Sequence, residues 1–183
     1  MIGVRSSRRK RACRYSKQKK MAEVREQVDA AAKKLGLLHD GFRKKINEEV
    51  TSNFRGYLEA NGFQVHATPT GAEGLYKDLK VNLVLPGPEE RYFGIYHAFD
   101  LIVNGKKNHV RIVPDITGTS VRQAVRSGDA LQLLEQDLTI LIEEIANIKL
   151  IGYRFDCTQK GFQPGSLAVT KDTIAEVIDI FSA

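Results

Sequence analysis

The segment "LQLLEQDLTILIEEIANI", residues 131–148, constrains the fold more than any other. Leu131, Leu134, Leu138, Leu141, Ile142, Ile145 and Ile148 recur at helical spacing and make one broad apolar stripe, while Glu135, Gln136, Glu143 and Glu144 face away. A helix with such a stripe must bury it, and the middle of the chain supplies the surface. There the apolar period changes from helical to alternating, in "FQVHA" (63–67) and "LKVNLVL" (79–85), with further apolar runs at 92–103 and 109–113. "PGPEE" at 86–90 reads as a loop between strands. "NGKKN" at 104–108 reads as the loop of a hairpin, longer than the two-residue ideal. "KLIGYRF" (149–155) and "SLAVT" (166–170) read as further strands around the loop "TQKGFQPG". The expected class is α+β: an antiparallel β-meander covered by a long amphipathic helix over about 120–147. The stripe on 131–148 is read as core rather than as a dimer seam, because the sheet needs a cover. The oligomeric state is left open.

Two helices are expected before the sheet. One spans roughly 17–35 on Met21, Val24, Val28, Ala31, Ala32 and Leu35, and Gly36 stops it. The other spans about 38–61 on Leu38, Phe42, Ile46, Val50, Phe54, Tyr57 and Leu58, ended by "ANG". At the other end, Thr170 is read as the cap of a short helix with Ile174, Val177, Ile178 and Phe181 inward.

Charge is distributed unevenly. The first 20 of the 183 residues hold 9 of the 28 Lys and Arg and no Asp or Glu. The remainder carries 19 basic against 22 acidic residues, a net of −3. Residues 1–16 are basic and poor in large apolar side chains, so they are expected to form a disordered arm ahead of a single domain over 17–183, helical to 61 and sheet with helices thereafter. Arginine and lysine neutralise phosphates and release counterions. Arginine also forks onto phosphate oxygens and stacks on bases. The residues expected to bind nucleic acid are therefore Arg5, Arg8, Arg9, Lys10, Arg11, Arg14, Tyr15, Lys17, Lys19 and Lys20, with Tyr15 as a stacking face. Arg43, Lys44, Lys45 and Arg55 suggest a continuation of the basic track. Acidic residues on the body argue against plain duplex-DNA binding. RNA or a ribonucleoprotein is the favoured partner.

Other chemistry is sparse. Cys13 and Cys157 fit no disulfide framework or zinc spacing, which points to a reducing, cytoplasmic setting. The N-terminus lacks the apolar stretch of a secretory signal, and no run approaches the ~18 apolar residues of a membrane span, so no membrane partner is expected. His39, His66, His97 and His109 have no His or Cys partner at ligand spacing, and no cofactor or metal is expected. "TPTGAEG" (68–74) lacks the pattern of a phosphate-binding loop and reads as an ordinary loop.

The order of elements resembles the restriction-endonuclease-like nucleases with a PD-(D/E)xK motif. That resemblance implies a Mg²⁺ site using Asp100, with Glu48 or Glu49 on the preceding helix. Here the strand "HVRIV" carries no ExK, and Asp115 lies just beyond it, so the catalytic half-motif is missing and an enzyme is the less favoured reading. An RNA-threading structural protein is a third reading. A second resemblance runs over most of the chain. "RKRACRYSKQ" running into a charged helix, "LIVN" in the sheet, "LEQDLTILIEEIANIKL", and "YRF" followed by "KGF" occur in an order similar to that of phage anti-CRISPR inhibitors of Cas9 with an arginine-rich flexible N-terminal arm. This chain is longer, with added sequence in the second helix and at 86–98. The resemblance implies a non-enzymatic inhibitor in the cytoplasm of a bacterial host, binding Cas9 with its guide RNA through Arg5, Arg8, Arg9, Lys10, Arg11 and Arg14.

Overall fold

The computed structural model describes residues 4–87, 96–119, 127–157 and 168–182, with side chains from Tyr15 onward. The chain is α+β, with three helices and a seven-stranded sheet among these residues. It divides into two compact units: Met1–Asp40 with Thr117–Lys149, and Gly41–Ile116 with Leu150–Ala183.

The first helix, α1, spans Val4–Ala60. The two helices expected before the sheet are therefore one. Gly36 does not stop it, since an interior glycine costs only about 1 kcal/mol and no proline interrupts the stretch. The helix is drawn from Val4, and residues 1–3 lie outside the described residues. Arg, Lys, Ala and Gln are good helix formers, and neither Gly nor Pro occurs between Val4 and Leu35.

The first unit contains α1 up to Asp40 and the second helix, α2, Ala130–Asn147. α2 starts ten residues later than the expected position 120. Residues 120–126 lie outside the described residues, and Asp129 caps the helix through a capping box with Gln132. Within the expected stripe only Leu141 and Ile148 are buried, and Ile142 is 56% exposed. The stripe is thus narrower than the sequence suggests.

The second unit holds the sheet: β1 Gln64–Thr68, β2 Gly71–Tyr76, β3 Leu79–Val84, β4 His97–Val103, β5 Lys106–Thr117, β6 Lys149–Cys157 and β7 Val169–Lys171, hydrogen-bonded in chain order. The third helix, α3, follows at Ile174–Ser182. β2 corrects the reading of "TPTGAEG" as a loop. Thr68 pairs with Gly71 across a two-residue turn, and the glycines are required by close approach. A Cβ on Gly71 would lie 2.2 Å from the Leu83 carbonyl oxygen, and one on Gly74 would lie 2.5 Å from Leu58 Cδ1. The β4–β5 loop is also shorter than expected. Val103 pairs with Lys106, so only Asn104 and Gly105 turn, both with positive φ (47° and 80°), as a type I′ hairpin requires. The first four residues of the expected run 92–103 and the loop 158–165 fall outside the described residues.

A long helix does cover the sheet, and it is α1. Ile46, Val50, Phe54 and Leu58, spaced by four, are fully buried against Val81, Leu83, Phe99, Leu101, Val110 and Ile112, with Ile174, Val177 and Ile178 of α3 completing the core. α2 supplies no residue to this core. The cap of α3 is Thr173 rather than Thr170. Thr173 Oγ1 accepts from the Glu176 amide at 3.3 Å, and Glu176 Oε2 accepts from the Thr173 amide at 3.1 Å. Thr170 instead lies in β7.

Candidate nucleic-acid interface and the polar sites of the body

Of the residues expected to bind nucleic acid, Arg5, Arg8, Arg9, Lys10, Arg11 and Arg14 lie on the α1 backbone, with side chains outside the described residues. Tyr15 is 73% exposed. The lysines that follow have carboxylate partners. Lys17 Nζ lies 2.8 Å from Asp129 Oδ2, Lys20 Nζ 2.7 Å from Glu135 Oε1, and Lys19 Nζ 3.8 Å from Glu23. The bond to Lys17 holds the Asp129 carboxyl below its ordinary range, and the bond to Glu135 raises the Lys20 ammonium. All three pairs are exposed, where ion pairs are weak and screened by salt. Glu135 faces away from the apolar stripe, as its spacing requires, and meets a lysine of the same unit.

The basic track suggested at 43–55 does not emerge as a positive surface. Lys44 pairs with Glu48 at 4.0 Å, Lys45 with Glu49 at 3.7 Å and Arg55 with Glu59 at 3.9 Å, each one helical turn on. Arg43 turns inward. Its guanidinium lies 4.7 Å from the Tyr96 ring centroid, and its Nε donates to the Tyr96 carbonyl at 3.1 Å. Beside it, buried His97 faces Asn47 Oδ1 at 2.6 Å. Burial, with the charge of Arg43 second, lowers this imidazole to about 4, so it is neutral at pH 7 and donates from Nε2.

Asp100 and Glu49 have separate partners. Asp100 sits opposite His109 in the β4–β5 ladder, accepting from Nδ1 at 2.9 Å, and Lys107 Nζ lies 2.7 Å from its second oxygen. Burial, followed by the charge of Glu49, pushes the Tyr153 phenol up to about 12. A third polar cluster centres on buried Asp156, which accepts from Arg111 and, at 2.9 Å, from the Oγ1 of exposed Thr170. Cys157 next to it is a buried thiol pushed up to about 11, chiefly by burial, and so is not a nucleophile at neutral pH. Among the described residues no three His, Cys, Asp or Glu side chains gather so as to hold a metal ion. No helix of the described residues is long and apolar enough to cross a membrane.

Two open clefts flank the exposed ridge of α1. One, of about 590 Å³, is lined by Asn47, Glu48, Thr51, Arg55, Glu59 and Leu85, among others. The other, of about 560 Å³, lies between α1, β6 and the start of α3 and includes Asn53, Tyr57, Tyr153, Asp172 and Thr173. Ser52 and Gly56 border both. Sequence reasoning missed the second cleft. Tyr57 was legible only as part of an apolar stripe, and its neighbours come from segments about a hundred residues further on. No protein family, curated protein or solved structure matches this chain.

Proposed function

We propose that the protein is a non-enzymatic binder of nucleic acid or nucleoprotein, with RNA as the favoured nucleic acid and residues Arg5–Lys20 as the contact. One observation carries this reading: nine positive charges and no negative ones in the first 20 residues, ahead of a remainder with a net charge of −3. The exposed Tyr15 adds a face on which a base can stack. Lys17 and Lys20 hold carboxylates in exposed pairs that exchange for phosphate at little cost. On the finer reading, from the resemblance to anti-CRISPR inhibitors, the target is Cas9 with its guide RNA and the same segment blocks the nucleic-acid channel.

The test is fluorescence anisotropy with a labelled single-stranded RNA, using the full chain and a variant lacking residues 1–16. The full chain should lose about 10³–10⁵ in affinity between 50 and 200 mM salt, and the truncated chain should bind far more weakly at low salt. Equal binding by the two, or an affinity insensitive to salt, overturns the proposal. Inhibition of Cas9 cleavage by the full chain but not by the truncated one supports the finer reading, and cleavage unaffected by either removes it.

A further inference from the structure

The cleft between α1, β6 and the start of α3 has a chemistry opposite to that of the basic segment. Tyr57 and Tyr153 line it, and each phenol has a carboxylate beside it: Tyr57 donates to Asp179 Oδ1 at 2.5 Å, and the charge of Glu49 acts on Tyr153. Neither carboxylate is among the residues lining the cleft. The hydroxyl of Tyr57 is thus held from outside the cleft, and the carboxylate near each phenol makes both ring faces more negative. Both effects favour a cation resting on a ring face.

The surrounding charge has the same sign. Asp172 lines the cleft, and its carboxylate has no cationic partner among the described residues. The positive end of α3 does not offset it, because Glu176 Oε2 already accepts from the Asp172 and Thr173 amides at 3.2 and 3.1 Å. The nearby Lys171 lies 4.0 Å from that same Glu176. Asn53 forms no hydrogen bond among the described residues, which leaves its amide oxygen open as an acceptor. Gly56 leaves the border clear, since a Cβ there meets nothing within 4 Å. A phosphate is repelled by this set, whereas a planar cation is matched on its faces and at its edge.

We propose that this cleft receives the arginine side chain of a partner protein, the guanidinium resting against Tyr57 and Tyr153 and donating to Asp172 and Asn53. Arginine is favoured over lysine because its planar, weakly hydrated head both stacks and forks onto a carboxylate. A volume of about 560 Å³ lies within the range of small-ligand sites and admits one such side chain.

The test is an NMR titration of the isotopically labelled full chain with a blocked Gly-Arg-Gly peptide, its lysine counterpart and its citrulline counterpart. The arginine peptide should shift the signals of Asn53, Gly56, Tyr57, Tyr153 and Thr173 in a saturable way. The lysine peptide should bind at least about fivefold more weakly, and the uncharged citrulline peptide should leave the signals in place. Asp172→Asn should weaken arginine binding about tenfold. Gly56→Phe should abolish it by filling the cleft, while Gly56→Ala keeps it. Equal binding of the lysine or citrulline peptide overturns the proposal, as does full binding by Asp172→Asn, or no shift up to about 20 mM arginine peptide. Residues 1–20 are untouched and no nucleic acid is used, so this outcome is separate from that of the arm deletion.

Discussion

The two units show two ways of holding helices. In the second, α1 places Ile46, Val50, Phe54 and Leu58 fully out of water against a sheet and α3. In the first, the deeply buried side chains among the described residues are Val24, Leu141 and Ile148, and the contacts between α1 and α2 include the exposed pairs Lys17–Asp129 and Lys20–Glu135. Apolar burial yields about 25 cal/mol per Å², whereas exposed pairs yield little and fade with salt. The apolar core makes the second unit the more firmly held. The first carries its charge where a partner can compete for it.

The sharpest way to break this comparison is truncation in each unit. Phe54→Ala should cost about 3–5 kcal/mol by urea denaturation, and Leu134→Ala on the half-buried stripe of α2 about 1 kcal/mol. Equal losses would mean that the first unit has as firm a core as the second. Next in size is the acid sensitivity of the second unit. The folded value of His97, about 4, lies below its unfolded value of 6.5, so the unfolded chain binds the extra proton between them. Stability should be full above pH 6.5 and fall by about 2–3 kcal/mol on acidification to pH 4.5. His97→Gln should flatten that dependence between the two pH values.

Gly74→Ala should cost about 1–3 kcal/mol, since the added methyl meets Leu58 at 2.5 Å. Gly56→Ala, on the open ridge of α1, should instead stabilise by up to about 1 kcal/mol. Opposite signs for these two glycines, read as shifts in melting temperature, separate a packing requirement from a helix-propensity cost. The smallest effect belongs to Lys20→Ser, which should leave the denaturation midpoint unchanged within error at 0.5 M salt, a concentration that screens exposed pairs.

Much of the architecture was legible because it rests on period. The α1 stripe from Ile46 to Leu58, the alternation of β3 and the apolar runs of β4 and β5 are direct consequences of which residues face the core. The misreadings come where local chemistry and tertiary need diverge. Gly71 and Gly74 look like loop residues but are placed in β2 by a carbonyl and a leucine that leave no room for a Cβ. Gly36 looks like a stop but is passed through, because the turns on either side of it are good helix. The strong stripe on 131–148 suggested the cover of the sheet, whereas the cover is α1, a role that propensity and pattern alone do not assign. The basic segment was legible as charge alone. The carboxylate partners of Lys17 and Lys20 were not, since Asp129 and Glu135 lie more than a hundred residues away. The cleft at Tyr57 and Tyr153 was hidden for the same reason.

The order in which the core of the second unit is supplied has a consequence during synthesis. Its helical face, Ile46 to Leu58, emerges first, and its last pieces, Ile174, Val177 and Ile178, follow about 120 residues after Leu58. At ~5–20 residues per second, that apolar face waits roughly 6–24 s for its final partners. Over that interval the nascent chain presents a greasy helix to solvent, so a holdase that shields amphipathic helices during synthesis should raise the yield of folded protein.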